Sequence, residues 1–552
     1  MLETFDPNDI QDLEGARQAI IQVLNLVEEM VSENRTLREE NQRLRDENNR
    51  LKGEQGKPLI KPNTKPKATS TSDHSSEAAR RQRKKRTRHS KVQDIHIDRE
   101  CKLDLDRTLL PEDAAFKEYV PVVVQDVRLI TDNIRFLKEK RYSSSLQQTY
   151  LAELPAGYEG EFGPGVKALS VVLYHAVNTS EPKIIEFFEH IGVYISSGQV
   201  SNLLIKNQDR FHAEKDAVYE AGLRSTPWQH SDETGTRVNG VNQHCHVMCN
   251  PLYTAYLTTE KKDRLTVIDV LTNLRSRQYR LLSQTYEWLL EANVSPSVLN
   301  RLQHLPQDQV LDHEQFSCLL DEHLADVNAQ CRRLVLEAAA ITAYQTQQEI
   351  PVVQLLICDD APQFKRITEE LALCWVHDAR YYNKLAPVVD YHRRLLGEFM
   401  DRYWAFYHSL IAYQQNPDPA HIPRLEGEFD DLFSTVSGYV GLDRRIELTR
   451  DKKPFLLTVL RHPEIALHNN PAEIEMRRRV RKRDVSYGPR TQDGKRAWDT
   501  FATLLATTQK LGVSFYRYVY DRISEANEIP CLADLIEQRA QRLNLGASWA
   551  TA

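Results

Sequence analysis

Apolar residues recur every seven positions near the N-terminus of this chain. Val23, Met30, Leu37, Leu44 and Leu51 form one row, and Ile20, Val27, Asn34, Asn41 and Asn48 form a second. Two such rows make the seam of a coiled coil, with leucine at d and asparagine at several a positions, so residues 13–52 are predicted to be a leucine-zipper helix. A single amphipathic helix lying on its own domain would leave a similar stripe. The flanking charges bear on that choice. Glu33, Glu40 and Glu47 fall at g, and Arg38, Arg45 and Lys52 at e, so a parallel pair would be attractive along its length. A parallel homodimer through residues 20–52 is the expected partner arrangement.

Residues 53–93 lack apolar periodicity and are rich in Lys, Pro, Ser and Thr, the composition of a linker that stays disordered until it meets DNA. Alternation then sets in: Ile95, Ile97, Cys101, Leu103 and Leu105, followed by a β-rich run at 119–136, predict a small β-containing module over 94–160. After Gly163-Pro164-Gly165 the pattern turns helical to about 222. Within it, helix starts at Ser180-Glu181-Pro182 and Ser196-Ser197-Gly198 flank an Ile191-Gly192 turn. Two short helices around a glycine turn form either a packing pair or a helix-turn-helix. In the second case Ser197, Gln199, Asn202 and Lys206 are the outward polar residues available to DNA.

From 223 to 510 the elements fall in a different order. Strands are predicted at 228–234, 244–248 and 254–259, then a helix at 264–271, about eighty residues of helical insertion at 272–350, and a buried strand at 352–358. A second helical insertion spans 383–450, and 511–552 is helical. Three antiparallel strands, a helix and a buried parallel strand are the opening of an RNase H-like α/β fold. The expected fold class is therefore an RNase H-like catalytic core with large helical insertions, preceded by the coiled coil, the β-containing module and a helical DNA-binding domain.

Composition changes this picture in one respect. A chain of 552 residues with 41% hydrophobic residues is large enough for several domains and a substantial core. Its net charge of −6 argues, taken alone, against a nucleic-acid partner. The charge is segregated, however. Between positions 80 and 91 there are eight Lys or Arg and no acid, and between 474 and 496 nine against three acids. Such segments are either solvated charge runs or local phosphate-binding surfaces. On the second reading Arg80, Arg81, Arg83, Lys84, Lys85 and Arg86 are candidate DNA contacts. The best apolar run, 166–177, is interrupted by Lys167 and His175 and falls short of the roughly eighteen residues of a membrane span. No secretory signal is evident, and eight cysteines without paired spacing fit a reducing, cytoplasmic setting.

Three acids stand where this fold would use them. Asp232 lies in the middle of the first strand. Asp359, followed by Asp360, ends the buried strand. Glu473 follows Asn469-Asn470-Pro471-Ala472, a helix start with proline in its first turn. Carboxylates converging on a small volume suit Mg²⁺ or Mn²⁺, and two such ions would serve an in-line phosphodiester displacement. Arg477 and Arg481 follow Glu473 at i+4 and i+8 on one helix face, placed either to hold phosphate or to pair with Glu473 on the surface. His377 is a further candidate DNA contact. His244-Cys245-His246-Val247-Met248-Cys249 together with Cys374 and His377 would make a zinc site only if the two segments met. No glycine-rich phosphate loop is present, so ATP dependence is not indicated.

These blocks carry a resemblance. His230-Ser231-Asp232-Glu233-Thr234-Gly235-Thr236-Arg237-Val238-Asn239-Gly240, Asp359-Asp360-Ala361 with Cys374-Trp375-Val376-His377, and His468-Asn469-Asn470-Pro471-Ala472-Glu473 with Arg477 and Ser486-Tyr487-Gly488 resemble the insertion-sequence-66 family of bacterial DDE transposases. The resemblance covers roughly residues 160–520. It implies Mg²⁺-dependent DNA cleavage and strand transfer at terminal inverted repeats, a metal-binding triad of Asp232, Asp359 and Glu473, and DNA as partner, with room for accessory proteins of the element. It also implies a location at the bacterial nucleoid. Two departures qualify it. Cys101 is the sole cysteine where the family has a zinc finger, and the insertion at 272–350 enlarges the core. A catalytically silent DNA-binding derivative and a structure-selective nuclease are the competing functions.

Overall fold

The computed structural model describes residues 12–51, 96–106, 111 and 114–550. Its first element, α1 (Leu13–Leu51), is a continuous helix of 39 residues over the span of the heptad rows. Glu28 is buried, whereas the seam positions Ile20, Val23, Val27, Met30, Leu37 and Leu44 are exposed. The N-terminal part of α1 lies on the chain's own helical region. The Glu28 carboxylate accepts the backbone N–H groups of Val388 (2.6 Å) and Val389 (3.0 Å), and Asn25 donates to the Gly438 carbonyl (2.8 Å). One side of the helix is thus docked while the apolar seam faces solvent.

Over 94–160, where a small β-containing module is expected, the strands are those of a single hairpin, β1 (Lys140–Ser143) with β2 (Gln148–Leu151); no other strand occurs among the described residues before position 160. Alternation specifies a strand only where a neighbour takes its hydrogen bonds and a core covers its apolar face. Neither is available here: Ile97, Leu103, Leu105, Val120, Val122 and Val124 are all exposed. The basic residues at 80–86 lie outside the described residues.

Helices α2 (Pro164–His175), α3 (Glu181–His190), α4 (Ser197–Ile205) and α5 (Asp209–Arg224) follow, helical as the pattern predicts. Ser196 caps α4 by accepting the Gln199 N–H at 3.2 Å. The central sheet is built from β3 (Trp228–Val238), β4 (Val241–Cys249) and β5 (Thr254–Thr259), then, after α6 (Arg264–Leu271) and the helical stretch α7 (Ser283–Glu291), α8 (Pro296–Leu302), α9 (His313–His323) and α10 (Ala329–Thr346), from β6 (Leu355–Cys358) and β7 (Glu370–Leu373). Its order is β5-β4-β3-β6-β7. The first three strands are mutually antiparallel, and β6 and β7 run parallel to β3. The fold is therefore mixed α/β around one mixed sheet.

Beyond the sheet come α11 (Trp375–Asn383), α12 (Asp390–Gln415), α13 (Ile422–Phe433), α14 (Val440–Arg450), α15 (Lys453–Leu456), α16 (Asn470–Ser486), α17 (Gln492–Lys510), α18 (Phe515–Ile523) and α19 (Leu532–Leu543). Period-2 alternation on β4 assigns its two faces. Cys245, Val247 and Cys249 pack with Tyr256, Ala472, Met476 and Ala506 beneath α16 and α17, while Met248 joins the larger core on the other side. No described helix is long and apolar enough to cross a membrane.

The segment 474–496 is not uniformly a surface for phosphate, which corrects the expectation from its charge. Arg479 and Lys482 are buried in α16. Arg479 donates to the Asp499 carboxylate (2.8 Å), and the Lys482 ammonium sits 3.2 Å from the centre of the Tyr174 ring. Burial and the nearby Arg479 pull the Lys482 pKa down to about 7.

Candidate active site

Sheet register sets the first two acids side by side. Trp228 pairs with Leu355 and His230 with Ile357, so two residues further along the same parallel pair Asp232 stands level with Asp359, just past the end of β6. On the antiparallel side Asp232 is the partner of Val247, which packs beneath α16. Asp232 therefore projects toward the helix that carries Glu473. The third acid sits in the first turn of α16, next to Pro471, where the helix dipole favours a carboxylate.

The start of α16 is fastened to β3 by Asn469. Its side chain makes no cap hydrogen bond to the helix. It donates instead to the Ser231 carbonyl (2.7 Å), and its oxygen lies 3.0 Å from His230 Nδ1. Burial depresses the His230 pKa to about 3, so the imidazole is neutral and its Nδ1 donates to that oxygen. The far end of α16 is fastened too. Tyr487 ends the helix in the left-handed region, and at Gly488 (φ +105) a Cβ would collide with the Arg237 carbonyl at the tip of β3. The Asn239 N–H then donates to the Pro489 carbonyl at 2.9 Å. The polar residues flanking Glu473 thus fix its helix against the strand of Asp232.

The electrostatics are those of a crowded anionic site. Burial pushes the Asp232 pKa up to about 7, with the charges of Asp359, Glu473 and Glu233 acting in the same direction against one hydrogen bond from the Glu233 N–H (2.9 Å). Burial also raises Asp359, helped by Glu233 and Asp360 and opposed by the Ala361 N–H (3.1 Å) and by His377. Asp360 differs. Burial acts on it as well, yet Lys452 (2.7 Å) and Lys365 (3.1 Å) carry its pKa below the usual carboxylate value. Of the two adjacent aspartates, Asp359 belongs to the acid cluster and Asp360 to a lysine pair.

Some neighbours of the cluster are invisible to motif reasoning. Arg380 on α11 donates to both Glu473 oxygens (2.9 and 3.2 Å), and Lys262 pairs with Glu233 at 2.8 Å. Arg380 is one helical turn beyond His377, whose Nε2 lies 3.5 Å from Glu473. Extending the Cys374-Trp375-Val376-His377 block by that turn is the signal that would have found it. Arg477 lies 3.8 Å from Glu473, and Arg481 is exposed on α16. Gln199 and Asn202 are half-buried on α4, and Lys206 is exposed at its C-terminal end, away from the acids in sequence and on a separate element.

Of the cysteine and histidine segments weighed for metal, Cys245 and Cys249 are sealed in the core under α16, and His246 Nε2 lies 2.9 Å from the Thr259 hydroxyl. Cys374, His377 and Glu473 do converge, with potential ligand atoms all within 4.8 Å of one another. The donors of Asp232, Asp359 and Glu473 are all carboxylate oxygens, the kind a hard divalent cation takes, and burial with neighbouring acids raises Asp232 and Asp359.

No family model matches the chain. It is 30% identical over 324 residues to a protein of Sinorhizobium fredii (strain NBRC 101917 / NGR234) described as "Uncharacterized protein y4jO"; the match covers 58% of this chain and 100% of that protein.

Proposed function

The chain belongs to the same family as that Sinorhizobium fredii protein, and from its carboxylate cluster we propose that it is a DNA transposase with an RNase H-like core, of the kind its motifs resemble. The observation that carries this proposal is that acids from three separate elements, Asp232 from β3, Asp359 from the end of β6 and Glu473 from α16, lie near enough for the charges of Asp359 and Glu473 to raise the Asp232 carboxyl. The strand order, with a parallel strand added beside the first of three antiparallel ones, supports the same reading.

In the reaction, an oxygen of water or of a DNA 3′-hydroxyl attacks phosphorus in line with the departing oxygen. One P–O bond forms as the opposite one breaks. Asp232, Asp359 and Glu473 would hold divalent magnesium or manganese, whose charge assists ionisation of the attacking hydroxyl and steadies the leaving oxygen. Arg380, Arg477 and Arg481 would orient the phosphate. Burial lowers the pKa of His377, which keeps it neutral near pH 7 and suits it to hydrogen bonding rather than to charge pairing. The decisive experiment is a Mg²⁺-dependent cleavage and strand-transfer assay on the DNA ends flanking the gene. Binding without cutting would make the chain a non-catalytic DNA-binding protein, and cutting without transfer a nuclease.

Two predictions follow from the surfaces around the site. Replacing Arg477 and Arg481 by alanine should weaken DNA binding for all sequences alike and flatten the salt dependence by about one unit of slope per lost contact. A slope equal to that of the parent protein would leave both arginines with roles inside the protein only. The exposed α1 seam should join two copies in parallel, bringing two catalytic sites to the two ends of one element. With Leu44 replaced by cysteine, oxidation should capture 44-to-44′ pairs. An antiparallel pattern, or a monomer at micromolar concentration with DNA present, would refute this arrangement.

A further inference from the structure

Cys374 and His377 occupy the first turn of α11 and the residue preceding it, spaced three apart, so both side chains reach toward one side of the helix. Glu473 approaches from α16. The His377 Nε2 to Glu473 Oε1 distance is 3.5 Å, and all three potential ligand atoms lie within 4.8 Å of one another. The Cys374 sulfur is buried and accepts the Asn469 N–H at 3.1 Å; burial pushes the thiol up to about 11, and this hydrogen bond opposes the rise. Asn469 is itself pinned to His230 and Ser231, so the sulfur is held in place by the same device that fixes α16.

We propose that Cys374, His377 and Glu473 form a second metal site, for a borderline-soft divalent ion of the Zn²⁺ class, which shares Glu473 with the carboxylate cluster. Sulfur, imidazole and one carboxylate are a zinc-type donor set and a poor one for Mg²⁺, which prefers oxygen alone. Closing on an ion at bond lengths of about 2.0–2.3 Å requires small rotations of the His377 and Glu473 side chains. Arg380 must also turn away from Glu473; its side chain is 41% exposed. Three protein ligands leave the fourth position open to water or to a DNA phosphate oxygen.

The shared carboxylate gives the site a consequence. An ion seated on Cys374 and His377 draws Glu473 away from Asp232 and Asp359, so Zn²⁺ at low concentration opposes Mg²⁺-dependent activity. Binding at this site does not depend on the transposase proposal; the inhibition rests on it.

The test begins with Co²⁺ titrated into the metal-free full-length chain in the absence of DNA. One equivalent should produce a sulfur-to-cobalt charge-transfer band that Zn²⁺ displaces. Cys374→Ser should abolish the band, and His377→Ala should weaken binding at least about tenfold. Asp232→Asn should keep it. If Cys374→Ser does not fold, X-ray absorption of the zinc-loaded parent chain decides, with one sulfur at about 2.3 Å expected in the first shell. Absence of the band, a band that survives Cys374→Ser, or a first shell without sulfur would overturn the proposal. Zn²⁺ should inhibit Mg²⁺-dependent cleavage in the parent protein and not in Cys374→Ser. A cobalt band in a chain that never cleaves DNA would sustain the site and dismiss the transposase.

Discussion

Asp232→Asn should reduce Mg²⁺-dependent strand cleavage to background and, in the same protein, raise the stability of the metal-free fold at neutral pH. Both effects have one origin. The carboxyl is held near pKa 7 against an ordinary value of 3.8 because it is buried among Asp359, Glu473 and Glu233. A folded-state pKa raised above the unfolded one means that the native state binds the proton more tightly. The associated stability is complete below about pH 4 and is lost as pH rises through 7. A rise from 3.8 to about 7 corresponds to about 4 kcal/mol. Asparagine has a similar shape and no charge to lose. The difference between variant and parent should therefore vanish at pH 4 and grow to its full value by pH 7.5. Denaturant unfolding in chelator at the two pH values measures it. Equal stability of the two proteins at pH 7.5 would remove Asp232 from the anionic cluster. Adding Mg²⁺ should then stabilise the parent more than the variant, because the cation supplies the missing counter-charge.

The parts of this site that were legible in the sequence are those where local chemistry and position coincide. An apolar run ending in aspartate must be a buried strand with its acid at the edge, and β6 with Asp359 is that element. Proline two residues before Glu473 announces a helix start, and α16 begins at Asn470. The β4 alternation correctly separated Cys245, Val247 and Cys249 from Met248. The heptad rows gave the helix α1, but not the docking of its other side through Asn25 and Glu28, whose partners lie more than 350 residues away. The strands expected over 94–160 shrank to one hairpin because period-2 alternation describes a surface waiting for partners, and these residues have none. Charge was the least reliable guide. Asp359 and Asp360 look equivalent in sequence, and what separates them is Lys365 and Lys452, the latter brought in from the turn between α14 and α15.

Asp499→Ala should cost about 3–5 kcal/mol, the largest stability loss expected from a single substitution near this site. It tests how a basic segment divides between surface and interior. Arg479 belongs to the same run as Arg477 and Arg481, but helix geometry turns it with Ala472 and Met476 toward the sheet, where its side chain is 3% exposed. There its guanidinium donates to Asp499 (2.8 Å) and to the Thr258 hydroxyl (3.0 Å) and lies over the Trp498 ring, 4.8 Å from its centre. Asp499 also accepts the Thr258 N–H and hydroxyl, both at 2.8 Å, so one carboxylate binds the edge strand β5, α16 and α17 together. Removing it leaves a buried guanidinium without counter-charge and two Thr258 donors without an acceptor. Pairing Asp499→Ala with Arg479→Met should recover much of the loss, since an uncompensated charge is costlier than an apolar pair. Arg481→Ala, on the exposed side, should change stability by no more than about 0.5 kcal/mol. Denaturant unfolding of these four proteins separates the two roles. If Asp499→Ala loses less than about 1 kcal/mol, or if the second substitution fails to restore stability, Arg479 is not held by this ion pair.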